Sequence, residues 1–182
     1  FHTKKEVMSY YLTLQIRPAI IDELPLLRDL AEKTFVEAFG PVNTAEDMRQ
    51  YVSKTFAIEQ VRTSFQQEGA AYFIAWHDSE AIAYLKLNEA AAQTEQSLEN
   101  ALEIERIYVK KSYQGKGIGL QLLDFAMEQA RQANKTWIWL GVWDQNEAAI
   151  RFYERHGFST FDQHEFYLGS DLQNDFLMKK EL

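Results

Sequence analysis

Apolar side chains recur along this chain first every second residue, then every third or fourth, then every second again, and each change of period marks a new element. Tyr11 to Arg17 alternates and ends at Pro18, which predicts a first strand. Leu24, Leu27, Leu30, Ala31, Phe35 and Ala38 follow at helical spacing; Asp22 can cap that helix, Pro25 suits its first turn and Gly40-Pro41 stops it. Asn43 or Thr44 can open a second helix through Met48, Tyr51 and Val52, and a third runs from about Ile58 through Val61 and Phe65 to Gly69. Tyr72 to His77 and Ala81 to Asn88, joined by the polar Asp78-Ser79-Glu80, read as a hairpin.

The stretch from Glu89 to Asn100 is polar and predicts a mobile loop. Leu102 to Val109 predicts a strand whose odd positions, Glu103, Glu105, Ile107 and Val109, share one face. Two carboxylates on that face are candidates for proton chemistry, or else outward charges and partners of Arg106 and nearby lysines. Ile118, Leu122, Leu123, Phe125, Ala126 and Ala130 mark a helix from Gly117 to about Ala133. Thr136 to Val142 is almost wholly apolar, as expected of a central strand buried on both faces. Strand, loop, helix and parallel strand in that order make a crossover, so the two strands are expected to be neighbours. Asp144 with Glu147 three residues on resembles a capping box for a short helix ending at Gly157, on which Asn146, Ala149, Ile150 and Tyr153 share a face. Ser159 to Tyr167 and Asp175 to Lys180 predict two final strands.

Between the alternating strand and the longest late helix stands Gln114-Gly115-Lys116-Gly117-Ile118-Gly119. Glycines at alternate positions remove the Cβ atoms that keep a ligand from the backbone. A helix starting inside this loop would add unpaired amides and the positive end of its dipole, so a phosphate or pyrophosphate is the natural guest. A plain glycine-rich turn is the alternative. A Walker A loop is excluded because Gly117, not Ser or Thr, follows Lys116; the dinucleotide fingerprint fails because Leu120 stands where its third glycine belongs.

The chain has 182 residues, enough for one domain with a full core. It contains no cysteine, which excludes disulfides, thiolate metal sites and a cysteine nucleophile. Its net charge of −8 disfavours a nucleic-acid surface and suits a cationic or neutral substrate. His77, His156 and His164 lack ligand spacing, so no metal is expected. With no apolar run of about 20 residues, no membrane partner is expected and a cytoplasmic location is the default. Residues 1–7, ahead of Met8, read as a cloning remnant or disordered leader, with residues 8–182 as the functional domain.

Ile107-Tyr108-Val109, the Gln-x-x-Gly-x-Gly of residues 114–119, and Asn146 to Phe158 (NEAAIRFYERHGF) resemble, in this order, the GCN5-related N-acetyltransferase (GNAT) superfamily. The segments Glu103 to Val109 and Trp139 to Trp143, with the tail from Phe166-Tyr167 to Met178, are similar to PaiA-type polyamine acetyltransferases. The resemblance implies a single-domain α/β fold: a mixed central sheet of about seven strands flanked by helices, with a splayed strand pair forming an acetyl-CoA cleft. It also implies transfer of acetyl from acetyl-CoA to a primary amine such as spermidine or spermine. Other amines, a protein N-terminus or lysine, and a non-catalytic acyl-CoA sensor are the alternatives, in a monomer or homodimer.

By matched position, the resemblance lays pantetheine along Ile107, Tyr108 and Val109 and pyrophosphate on Gln114, Gly115, Lys116, Gly117, Ile118 and Gly119, with Asn146 and Arg155 as further contacts. Tyr153 would be the general acid that protonates the leaving thiolate. Many relatives carry a glutamate in the strand where this chain has Gly141, which shifts the role of base to Glu103 or Glu105 acting through water.

Overall fold

The computed structural model describes residues 12–182; the reading of residues 1–7 and the start of the first strand at Tyr11 lie outside the described residues. Seven strands, β1 (Gln15–Pro18), β2 (Ala70–His77), β3 (Glu80–Glu89), β4 (Ala101–Val109), β5 (Trp137–Trp143), β6 (Ser159–Leu168) and β7 (Asp171–Glu181), form one sheet in the order β1-β2-β3-β4-β5-β7-β6. The β4–β5 pair is parallel and the other five pairs are antiparallel. The helices are α1 (Leu24–Phe39), α2 (Ala45–Thr55), α3 (Ile58–Phe65), α4 (Ile118–Gln132) and α5 (Glu147–Arg155).

Each sheet face carries its own core. On one, Ile118, Leu122, Leu123 and Ala126 of α4 pack on Leu85, Leu102, Ile104, Ile138 and Leu140. On the other, Leu27, Leu30 and Phe35 of α1 pack with Met48 of α2 on Ile74 and Tyr84. Leu122 and Leu123 are fully enclosed, and burying each stabilises the fold by about 1.5–3 kcal/mol.

Two expected caps move. Asp22 falls in a 3-10 turn, Ile21–Glu23, and does not cap α1. Glu23 organises that entry, accepting from the Ile20 amide at 3.1 Å and pairing with Arg17 at 2.5 Å. At α5 the cap is Asn146, not Asp144: its Oδ1 accepts from the Ala149 amide at 3.2 Å, while the Asp144 backbone is held by Asn174. Thr44 caps α2 as one of the two expected residues.

The face expected for the odd residues of β4 is corrected by a bulge. Opposite β3, Arg106 pairs with Lys86 and Ile104 with Leu87, so Glu105 is the extra residue. One inserted residue reverses the alternation. Leu102 and Ile104 before it, and Ile107 and Val109 after it, all lie on the α4 side, while Glu103, Arg106 and Tyr108 face the other way. Residues 89–100, expected as a mobile loop, begin with a 3-10 turn at Ala90–Ala92 and are then pinned to the sheet. Gln93 accepts from the Trp139 indole at 2.7 Å, and the Thr94 amide donates to Glu103 at 2.8 Å.

Candidate active site

Pairing of β4 with β5 ends at Ile104 and Leu140. Beyond that point β5 stays with β7 and β4 stays with β3, so the two strands part and leave a cleft of about 660 Å³. Below its mouth, α4 begins inside the glycine loop. Gly115 and Gly117 hold φ of 75° and 76°, a left-handed conformation that glycine adopts without Cβ strain. Among the described residues the amides of residues 115–120 donate to no protein acceptor. First-turn donors are left open in this way by helix geometry, and their partial positive charge suits an anion. The Gln114 amide side chain donates to the Val109 carbonyl at 3.1 Å, fastening the loop to the end of β4.

Of the residues singled out from sequence, Ile107, Tyr108, Val109, Gln114, Gly115, Gly117, Ile118, Gly119, Asn146, Tyr153, Arg155 and Glu105 all line this one cleft. Lys116 stands outside the lining, with its ammonium over the Tyr113 ring at 5.0 Å. Tyr153 is 8 % exposed and wedged edge-on between Phe152 and Phe158. Burial raises its pKa above the usual phenol range, and its hydroxyl has no hydrogen-bond partner among the described residues. The phenol therefore stays protonated across the working pH range and is free to donate.

A second cavity, of about 240 Å³, opens on the other side of the sheet. It shares Phe39, Glu105, Tyr108, Gly141 and Trp143 with the cleft, so the two meet where β4 and β5 part. Its walls combine aromatic rings (Tyr51, Trp139, Phe166) with the carboxylates Glu95, Glu103, Glu105 and Asp175, against Arg106 and His164. β5, expected to be buried on both faces, is exposed only at Gly141; buried Trp139 and half-buried Trp143 stand on either side of it in the cavity wall.

Glu103 is 3 % exposed and belongs to this second cavity. Burial raises its pKa, against hydrogen bonds from Thr94 and Asn88. Those bonds occupy both oxygens: Oε2 accepts from the Thr94 amide and from Asn88 Nδ2 at 3.1 Å, and Oε1 from the Thr94 hydroxyl. For Glu105, burial pushes upward, but the charges of Lys86 and Arg106 outweigh it and the pKa falls. It pairs closely with Lys86 Nζ, with Arg106 Nε at 3.6 Å, and accepts from Asn88 at 2.6 Å.

The sequence gives Glu95 and Asp175 no site role, and His164 enters there only as a histidine without ligand spacing. Glu95 and His164 pair at 2.6 Å across the cavity rim. Asp175 was read only as the start of a strand; a carboxylate directly before Phe176-Leu177-Met178, in a strand bound for the sheet interior, was the available signal. Among the described residues no helix is long and apolar enough to cross a membrane, and no group of three or more metal-ligating side chains is found.

The model of the acetyltransferase (GNAT) family matches residues 27–158. An uncharacterized N-acetyltransferase in the pepI 3' region of Lactobacillus delbrueckii subsp. lactis is 41% identical over 160 residues, 88% of this chain and 92% of that protein. A spermidine N(1)-acetyltransferase of Thermoplasma acidophilum is 24% identical over 174 residues, covering 93% and 98%. The crystal structure of PaiA N-acetyltransferase from the same organism, in complex with coenzyme A, superposes with a TM-score of 0.74 at 23% identity over 93% of this chain and 99% of that one, a likeness of fold. With the family model spanning most of the sheet and the Lactobacillus relative nearly the whole chain, this protein belongs to the acetyltransferase (GNAT) family and is an acetyl-CoA-dependent N-acetyltransferase.

Proposed function

We propose that the acceptor is a primary amine of the polyamine class, spermidine or spermine being the type, and that it enters through the second cavity while acetyl-CoA occupies the cleft. The observation that carries this reading is the acidic and aromatic cavity meeting the cleft at Gly141 and Tyr108 from the opposite face of the sheet. Carboxylates attract an ammonium group, and aromatic faces accommodate both the methylene chain and the charge. The spermidine-acetylating relative from Thermoplasma supports the same class.

Acetyl-CoA supplies the activated acyl group, and the cleft fits it on the chain's own features. The open amides of residues 115–119 and the helix dipole receive the pyrophosphate, with Lys116 and Arg155 adding charge. The edge of β4 freed beyond Ile104, around Ile107, Tyr108 and Val109, offers backbone pairing to the pantetheine as an added strand would. Asn146 uses Oδ1 on its own helix, which leaves its Nδ2 for the ligand. Tyr153 donates its proton to the departing sulfur.

The two carboxylates read from sequence divide the remaining work. Glu105 borders both cavities and presents negative charge to the ammonium, but its lowered pKa makes it a weak base. Glu103 is more basic, yet its oxygens already hold Thr94 and with it the loop that carries Glu95. Steady-state assay with acetyl-CoA against polyamines, monoamines, aminoglycosides and N-terminal peptides tests the acceptor. Turnover of a peptide with none of any polyamine would overturn it.

A further inference from the structure

Asp175 is a carboxylate to which the reading above gives no task. It stands on β7 opposite Trp143 of β5 and His164 of β6, and its side chain lines the second cavity. Its Oδ1 is sealed from solvent and, among the described residues, has no hydrogen-bond donor. Its Oδ2 lies 3.4 Å from the point where a Cβ on residue 141 would sit. Because residue 141 is glycine, that space is open, and Gly141 is one of the residues common to both cavities. A buried carboxylate oxygen without a donor is costly, which leaves the carboxyl under-satisfied, and Oδ2, the oxygen that faces Gly141 at the junction, is the one a cation arriving with the substrate would meet.

The neighbouring charges are otherwise engaged. His164 on β6 pairs with Glu95 of the 89–100 segment at 2.6 Å. Asp144, at the end of β5, accepts from Asn174 at 3.3 Å. Arg106 on β4 lies over the Phe56 ring and beside Glu105. Glu103 and Glu105 hold the donors already described, which leaves Asp175, among the described residues lining this cavity, as the carboxylate with a vacant acceptor.

We infer that Asp175 takes a proton from the incoming ammonium over Gly141 and is the general base of the acetyl transfer. This rests on the reading of the acceptor as a primary amine. One N–H proton of R–NH3⁺ passes to the Asp175 carboxylate, and the freed nitrogen pair forms the N–C bond to the acyl carbon. The C–S bond breaks, Tyr153 gives its proton to sulfur and recovers one from the acylated nitrogen, and Asp175 later releases its proton to solvent. Burial, more than the nearby Asp144 and against the pull of His164, raises the Asp175 pKa from 3.8 to about 6. Against an ammonium of pKa ~10, that added basicity makes the transfer less uphill, while the group remains ionised at pH 7–8.

The test is Asp175→Asn beside Glu103→Gln in the full chain, with amine kcat/KM followed from pH 5 to 9.5 at saturating acetyl-CoA and coenzyme A affinity measured by calorimetry. Wild type should show a limb that rises through about pH 6. Asp175→Asn should lose it, fall about 100- to 1000-fold at pH 7, and recover at least tenfold by pH 9.5 as free amine accumulates, with coenzyme A affinity within about twofold. A kcat/KM within about threefold of wild type at pH 7, or loss of the limb in Glu103→Gln instead, would overturn the assignment. If Asn unseats the cofactor, Asp175→Glu decides: a shifted limb supports the inference, an unmoved one defeats it. Should polyamines turn over while Asp175→Asn matches wild type, the base assignment falls alone. Should only a monoamine or peptide turn over, the polyamine reading falls and Asp175 is judged on that substrate; with no amine turned over, both fall.

Discussion

Replacing Tyr153 by Phe separates the chemistry of this site from its architecture. The ring is held edge-on against Phe152 and Phe158, with centroids at 5.3 and 5.7 Å, and Phe keeps both contacts. The hydroxyl makes no hydrogen bond among the described residues, so removing it breaks nothing in the fold. Stability should change by no more than about 0.5 kcal/mol, about 1–2 °C in Tm for a chain of this size. With Tyr153 as the proposed proton donor, the loss acts on thiolate departure alone. Removing a positioned general acid lowers turnover about 10²–10⁴-fold, equivalent to about 2.7–5.4 kcal/mol in the barrier. The assay is release of free coenzyme A thiol, followed with a chromogenic thiol reagent at saturating acetyl-CoA and amine, with coenzyme A affinity from calorimetry. A kcat within about threefold of wild type, or a loss of turnover that tracks a loss of coenzyme A binding, would refute the role of Tyr153 as donor.

Gly117→Ala must hold a left-handed residue at the start of α4; it should lose about 1–2 kcal/mol of stability and bind coenzyme A more weakly, about tenfold by calorimetry. Gly119→Ala is the control: its Cβ comes only within 4.0 Å of the Phe152 ring edge, so melting should barely move. Lys86→Met leaves Glu105 buried without its close cation and should cost about 3–5 kcal/mol in chemical denaturation. Since the folded pKa of Glu105 lies below its ordinary 4.5, the pair stabilises fully above that pH and fades as pH falls through the folded value, so the gap to wild type should narrow as pH is lowered below 4.5. Asp175 has the opposite sign: a folded pKa of about 6 against 3.8 means a contribution present below pH 3.8 and lost as pH rises through 6. Asp175→Asn should therefore be more stable than wild type by about 1–3 kcal/mol at pH 8, with little difference at pH 4; equal stability at both would show that the carboxylate is not strained by burial.

Elements with a strong local period are legible in the sequence. The α4 stripe, the β2–β3 hairpin, the Thr44 cap and the open amides after Gly115 each depend on residues within a few positions of one another. Failures arose where partners are distant in sequence. Asp22 has the right chemistry for a cap, but Arg17 draws Glu23 into the entry of α1 instead. Alternation along β4 was read as unbroken because a bulge is visible only against β3, where Arg106 meets Lys86 and Glu105 is left over. That single residue exchanged the faces, separating Glu103 from Ile107 and Val109.

Sequence alone therefore determined the family, the α/β architecture and the line of cleft residues from Ile107 to Gly119 and on to Tyr153, because these are local signals carried on one crossover unit. Tertiary structure decided the second cavity, the one proposed for the acceptor. Glu95 comes from the 89–100 segment, Glu103 and Glu105 from β4, His164 from β6 and Asp175 from β7, and they meet where the pairing of β5 with β4 stops at Leu140 while its pairing with β7 continues. Which of those carboxylates is free to take a proton is set by the hydrogen bonds and charges that surround each one in the folded chain, and neither residue type nor spacing encodes them.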